Sequence, residues 1–347
     1  MYAREELLAL PKAELHQHID GAVRPATAVE LAREAGIALS GVEEATRRLV
    51  APARCRNQAE LLTYFDLPIA LLQRAEALGR VTAELVEDLA AENVRYAELR
   101  WAPRLHLAAG LDTESVIGAV VDGVGDAVRN LGERAPLVGL IVTAMRSHDP
   151  ADNVRLAELA AAFGSPVVGF DLAGPEARFP APPHAPAFRA AARGGLALTA
   201  HAGEVPGPSR IADALDLGVT RVAHGVTTAS DPAMVALVRE RGVTLDMCPT
   251  SNVQAGIVAD LAAHPVARLH RSGVSVTLST DDRTVSATTL TDELIDTADA
   301  QGLTEPELGA IAVNAFRRAF APRAAVAPLL ADAERAWSAW VGRRTSA

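Results

Sequence analysis

Eight short apolar runs recur along this chain, each separated from the next by a longer stretch of helical spacing. No other feature limits the fold as much. Strands that alternate with helices, and never follow one another directly, build a parallel sheet. The runs lie near 13–18, 94–101, 137–145, 167–172, 196–200, 221–223, 243–247 and 274–278. Most are apolar on both faces, as strands buried in a parallel sheet are. Between them, Pro25 opens a helix that Gly36 stops. Residues 41–56 give no clear signal, and 58–73 predicts one amphipathic helix with Leu61, Leu62, Phe65 and Leu72 on one side. From about 288 to 343 the spacing predicts three more helices. There is no internal repeat, low-complexity linker or shift in composition. The expectation is therefore one domain, 1–347, of α/β class: a TIM (β/α)8 barrel with additional helices and a helical C-terminal tail. The competing architecture is a doubly wound open sheet. No G-x-G-x-x-G follows any strand, which counts against dinucleotide binding.

Apolar residues make up 49% of the chain, enough for a large core, but aromatics are only 4%, so Ala, Leu and Val must fill it. A net charge of −10 argues against nucleic acid or a membrane surface as partner, because both attract basic patches. No run of about 18 apolar residues suggests a membrane span, and residues 1–12 lack the basic-then-apolar pattern of a leader. Cys55 and Cys248 are too few for a disulfide framework. Two reduced thiols in a cytoplasmic protein is the simpler expectation. Nothing in the pattern specifies an oligomeric state.

The chemistry collects at strand ends. His16 and His18 sit two apart in the first strand, so their imidazoles share a face. His201 and His224 end the fifth and sixth strands, Glu204 follows His201 by three residues, and Asp281 and Asp282 follow the eighth strand. In a barrel, the loops at the C-terminal ends of the strands converge on one site. Three histidines and a carboxylate suit Zn²⁺, with iron or cobalt as substitutes. Barrel hydrolases with two metals commonly bridge them by a carbamylated lysine. The one lysine here, Lys12, precedes the first strand, which favours a single ion. Glu204 is placed to carry a proton, or else to stabilise the N-terminus of the next helix. The other histidines (His106, His148, His184, His264 and His270) fall in loops or helices, where surface roles suffice.

Seven segments resemble the adenosine deaminase family, in the family's order: PKAELHQHIDGA (11–22), AELR (97–100), DLAGPE (171–176), HAGE (201–204), AHG (223–225), CPTSN (248–252) and TDD (280–282). The resemblance implies a TIM-barrel hydrolase of purine salvage with one zinc per chain, held by His16, His18, His201 and Asp281. By the same carry-over, Glu204 is similar to the residue that protonates purine N1. His224 resembles the histidine that orients or deprotonates the attacking water. Asp282 is expected at purine N7, the Gly174 N–H at N3, and Asp20 at the ribose 5′-hydroxyl. Helix 58–73, through Leu61, Leu62 and Phe65, is similar to the family's apolar lid. An ordinary core-facing helix would show the same spacing.

The implied reaction is hydrolytic deamination of adenosine or 2′-deoxyadenosine at C6, giving inosine or deoxyinosine and ammonia. Family members that act on free adenine look to carry Glu where this chain has Asp20, which favours a nucleoside. One departure stands out: Arg283 follows the paired aspartates where the family usually has proline. An arginine on the pocket rim would suit a phosphorylated, N6-substituted or 5′-modified adenine nucleoside, and a solvated or surface-paired arginine would not bear on substrate. Two other classes compete. A metal-dependent esterase or phosphoesterase would not need Asp282 and Gly174 placed for a purine edge. A silent nucleoside-binding relative would usually have lost Glu204 or a ligand, and this chain has lost none.

Overall fold

A computed structural model describes residues 2–345. The eight runs form β1 (Lys12–His18), β2 (Val94–Trp101), β3 (Leu137–Met145), β4 (Val167–Ala173), β5 (Ala197–Ala202), β6 (Arg221–His224), β7 (Thr244–Met247) and β8 (Ser275–Leu278). Each pairs with the next in parallel, in chain order. β8 and β1 share no regular ladder. Their seam is closed just above β8 by a bridge between Gln17 and Asp281. There the His18 N–H donates to the Asp281 carbonyl at 2.7 Å, and the Asp281 N–H to the His16 carbonyl at 2.9 Å. The result is a nearly closed TIM-type α/β barrel.

The helices cover the outside with Ala, Leu and Val. Helix Glu305–Arg317 packs over β1 and β8 behind the seam, and the Trp337 indole of helix Arg323–Thr345 donates to the Pro11 carbonyl at 2.9 Å. Lys12, at the start of β1, donates to the Leu7, Leu8 and Leu10 carbonyls and so caps helix Arg4–Ala9. Its role is structural and lies at the strand end away from the site. Among the described residues, no helix is long and apolar enough to cross a membrane.

Two expectations need correction. The strands look apolar on both faces, yet the lumen holds buried charge. Arg221 of β6 ion-pairs with Glu98 of β2, and with Asp246 of β7 at 3.0 Å, its guanidinium stacked 3.5 Å from the centre of the Phe320 ring. Such a set is tolerated because each charge faces its opposite. The second correction concerns 58–73, which is not one helix. It is an α-turn (Gln58–Leu62), a 3-10 turn (Thr63–Phe65) and a second α-segment (Asp66–Leu71). Pro68 has no N–H to continue the first segment's ladder, but it fits in the first turn of a new one. The Thr63 hydroxyl binds the Glu60 carbonyl at 2.7 Å and closes the first segment. Leu72 accordingly leaves the apolar face it shared by spacing and enters the main core.

Candidate active site

Strand β1 aims His16 and His18 into the C-terminal mouth of the barrel, and β5 brings His201 from the opposite wall. Their three Nε2 atoms lie 3.1–3.2 Å from one another. Asp281 Oδ1 completes the set, 3.0 Å from His16 Nε2 and 3.4 Å from His18 Nε2. Burial pushes both imidazoles down, His18 to about 3, so they are neutral. Neutral rings would then aim lone pairs at one point, which only a cation resolves. Donor atoms about 2.0–2.1 Å from one ion, at right to tetrahedral angles, stand about 2.9–3.4 Å apart. The residues present thus fit a metal ion, forming a buried three-histidine, one-aspartate group.

His224 also lies near this group, but its Nε2 is 3.9 Å from the other Asp281 oxygen, Oδ2, and 3.7 Å from Glu204 Oε1. It stands beside the cluster and faces the cavity. Both His224 and Asp281 take left-handed backbone, with φ of 65° and 63°. Such strain in residues other than glycine costs on the order of 1–3 kcal/mol each and gathers at functional sites.

Supporting bonds fix each ring. Asp171 meets His201 Nδ1 at 3.0 Å and Arg100 at 3.4 Å. Although burial opposes ionisation, His201 and Arg100 hold this carboxyl well below the usual range. The carboxylate therefore keeps the His201 proton on Nδ1 and frees Nε2. Ser251 donates to Asp281 Oδ2 at 2.7 Å, which turns Oδ1 toward the histidines. The Asn252 amide group meets His224 Nδ1 at 3.1 Å, while its oxygen meets His264 Nε2 at 3.1 Å. In that arrangement His224 carries its proton on Nε2.

A cavity of about 320 Å³ opens beside the cluster, at the small end of the range for small-molecule sites. His18, His201, His224 and Asp281 form its floor, with Asp20, Glu204 and Asp282 on its sides. Gly174, at φ 105°, lies in the opposite wall, while Leu61, Leu62 and Phe65 roof it. Burial, ahead of every other cause, raises three of these carboxyls: Asp20 to about 6, Glu204 to about 8, and Asp282 well above its ordinary value with Asp281 adding to it. The Glu204 main chain is anchored by Glu176, whose carboxylate accepts from the Gly203 and Glu204 N–H groups at 2.8 and 2.9 Å.

Every site residue expected from the sequence meets here except Arg283. Its guanidinium turns away from the cavity to pair with the buried Glu92, which also accepts from Thr291 N–H at 3.0 Å. A buried carboxylate in need of a cation outweighs solvent as a partner. The surface reading also fails for three histidines. His106, His184 and His264 are buried. His184 holds Asn153 and the Arg146 carbonyl, and His264 holds Asn252. Arg100, Asp171, Glu176, Ser251 and Asn252 lie within the family-like segments, which mark their positions but not their roles. His264 and Gln58 carried no such signal.

Barrel, metal-binding group and acid-lined cavity together define a metal-dependent hydrolase. The family model described as Adenosine deaminase matches residues 11–334. An adenosine deaminase of Clostridium perfringens is 40% identical over 292 residues, 83% of this chain and 87% of its own length. Among solved structures, an adenine deaminase from Arthrobacter aurescens superposes with a TM-score of 0.87 at 28% identity, covering 96% of this chain and all of the other. An amidohydrolase from Burkholderia ambifaria with bound zinc superposes with a TM-score of 0.85, also at 28% identity, over 98% of this chain and 96% of its own. This chain belongs to the adenosine deaminase family.

Proposed function

We propose that this enzyme hydrolyses the C6–N bond of adenosine and 2′-deoxyadenosine, releasing ammonia and leaving inosine or deoxyinosine. The observation that carries the reading is one cavity in which the three-histidine, one-aspartate group faces two buried carboxyls, Glu204 and Asp282, both pushed up by burial. His16, His18, His201 and Asp281 hold one Zn²⁺ per chain. When bound, the ion supplies hydroxide at neutral pH by lowering the pKa of a water to about 7.

Glu204 gives its proton to purine N1 as the new C–O bond forms at C6, which makes that carbon more electrophilic. The hydroxyl proton of the adduct passes to the amino group, the C6–N bond breaks, and ammonia leaves the 6-oxo purine. With its proton on Nε2, His224 orients the attacking water by donation. Protonated Asp282 donates to N7 and the Gly174 N–H to N3, acceptors on opposite sides of the purine. Asp20 accepts from the ribose 5′-hydroxyl. Leu61, Leu62 and Phe65 exclude water from above.

The cavity lining includes no Lys or Arg among the described residues. With Arg283 turned to Glu92, the argument for a phosphorylated substrate loses its cation. The test is ultraviolet and ammonia assay of zinc-replete protein on adenosine and on adenine. Rapid inosine formation with adenine inert is expected, and Asp20→Ala raises KM for adenosine by about tenfold. Turnover of adenine in preference to adenosine would replace this reading with a base deaminase.

A further inference from the structure

The two oxygens of Glu204 are not equivalent. Oε1 faces His224 at 3.7 Å, on the metal side of the cavity. Oε2 accepts a hydrogen bond from Gln58 Nε2 at 2.7 Å. Among the described residues, Gln58 is the one hydrogen-bond donor to this carboxyl. It comes from the roof: Gln58 begins the Gln58–Leu62 segment, just after Asn57, which caps that segment by accepting from Glu60 N–H at 3.0 Å. The other roof side chains facing the cavity (Leu61, Leu62, Phe65 and Ile69) are apolar. Water exclusion does not call for an amide among them, and the cap is already supplied by Asn57.

An amide N–H can only donate. The oxygen it meets acts as an acceptor, and the carbonyl oxygen is the stronger acceptor of an acid group, so the acid O–H belongs on the other oxygen. We propose that Gln58 is a positioning residue, carried by the roof, that fixes Oε2 as the carbonyl oxygen of Glu204 and places the acid O–H on Oε1, where purine N1 is reached. With the main chain anchored by Glu176, the remaining freedom of Glu204 is rotation of its side chain, and Gln58 removes it. The roof thus both covers the cavity and aims the proton donor. The inference rests on the deaminase reading.

The test compares wild type with Gln58→Met, which keeps length and bulk but has no N–H, and Gln58→Glu, which donates only when protonated. Adenosine is the substrate and 1-deazaadenosine, which has no N1, the inhibitor. For Gln58→Met, kcat falls between about 10- and 100-fold, while KM and the inhibition constant of 1-deazaadenosine stay within twofold. For Gln58→Glu, the loss relative to wild type at the same pH is smaller at pH 5 than at pH 8. An unchanged kcat in Gln58→Met overturns the inference. So does a joint rise of KM and the inhibition constant at constant kcat, the signature of roof packing alone. Wild-type protein that leaves adenosine intact overturns the deaminase reading itself.

Discussion

Gly21 is glycine for lack of room. A Cβ built there would lie 2.0 Å from Asp282 Oδ1 and 2.7 Å from Asp282 Cβ. The side chain placed at the purine edge thus rests against bare backbone. Gly21→Ala is expected to fold, bind metal and still lose about 100-fold in kcat/KM, because Asp282 must move. Circular dichroism and metal content check the first two points, and steady-state kinetics the third. Glu204 makes a second prediction. Burial raises it to about 8, so its acid form is present below that value and lost as pH rises through it. The charge of a bound cation draws this midpoint lower. kcat on adenosine should therefore fall on the alkaline side, and Glu204→Gln should lower it by about 1,000-fold across the profile. A variant that kept wild-type turnover would remove Glu204 from the chemistry. Sequence spacing marks the proposed ligands His16 and His18 because strand ends are local facts: the two share a face wherever β1 goes. It could not find the partners of Arg283 or Glu204. Glu92 and Gln58 lie 191 and 146 residues away from them, and only the folded barrel brings them near.

Elements were legible where a single rule governs them. β2 and β3 run as expected, Val94–Trp101 and Leu137–Met145, and Pro25 with Gly36 bounds its helix. The roof departs from its predicted single helix because Leu61, Leu62 and Phe65 keep helical spacing across a break that Pro68 imposes. Phe65 now lies in the 3-10 turn between two short α-segments and is half-buried in the cavity wall. Phe65→Ala should raise KM for adenosine by about tenfold, in line with the loss of one partly buried ring, and lower kcat by less. An unchanged KM would show that the roof does not touch the purine.

For the whole molecule, the barrel was predictable from alternation alone, but its closure was not. The proposed ligands come from β1, β5 and the segment after β8, and two of them flank the Gln17–Asp281 bridge that shuts the seam. Metal binding therefore joins the first strand to the last, and its binding energy adds to folding stability. Chelation should lower the melting temperature by several degrees, and zinc should restore it; His224→Ala, outside the ligand set, should keep that response in full. A melting point indifferent to chelation would mean that the seam holds without its ion.

Gln17 and Asp281 stand 264 residues apart in sequence. During synthesis, β1 emerges first and its far edge waits without a neighbour until nearly the entire barrel has been made. An unpaired edge invites other strands, and here it carries two histidines of the future site. The helix Arg4–Ala9, capped by Lys12, guards only the start of that strand. A growing chain of this protein therefore holds an open seam until the eighth strand arrives, and closing that seam brings Asp281 to His16 and His18 in the same step.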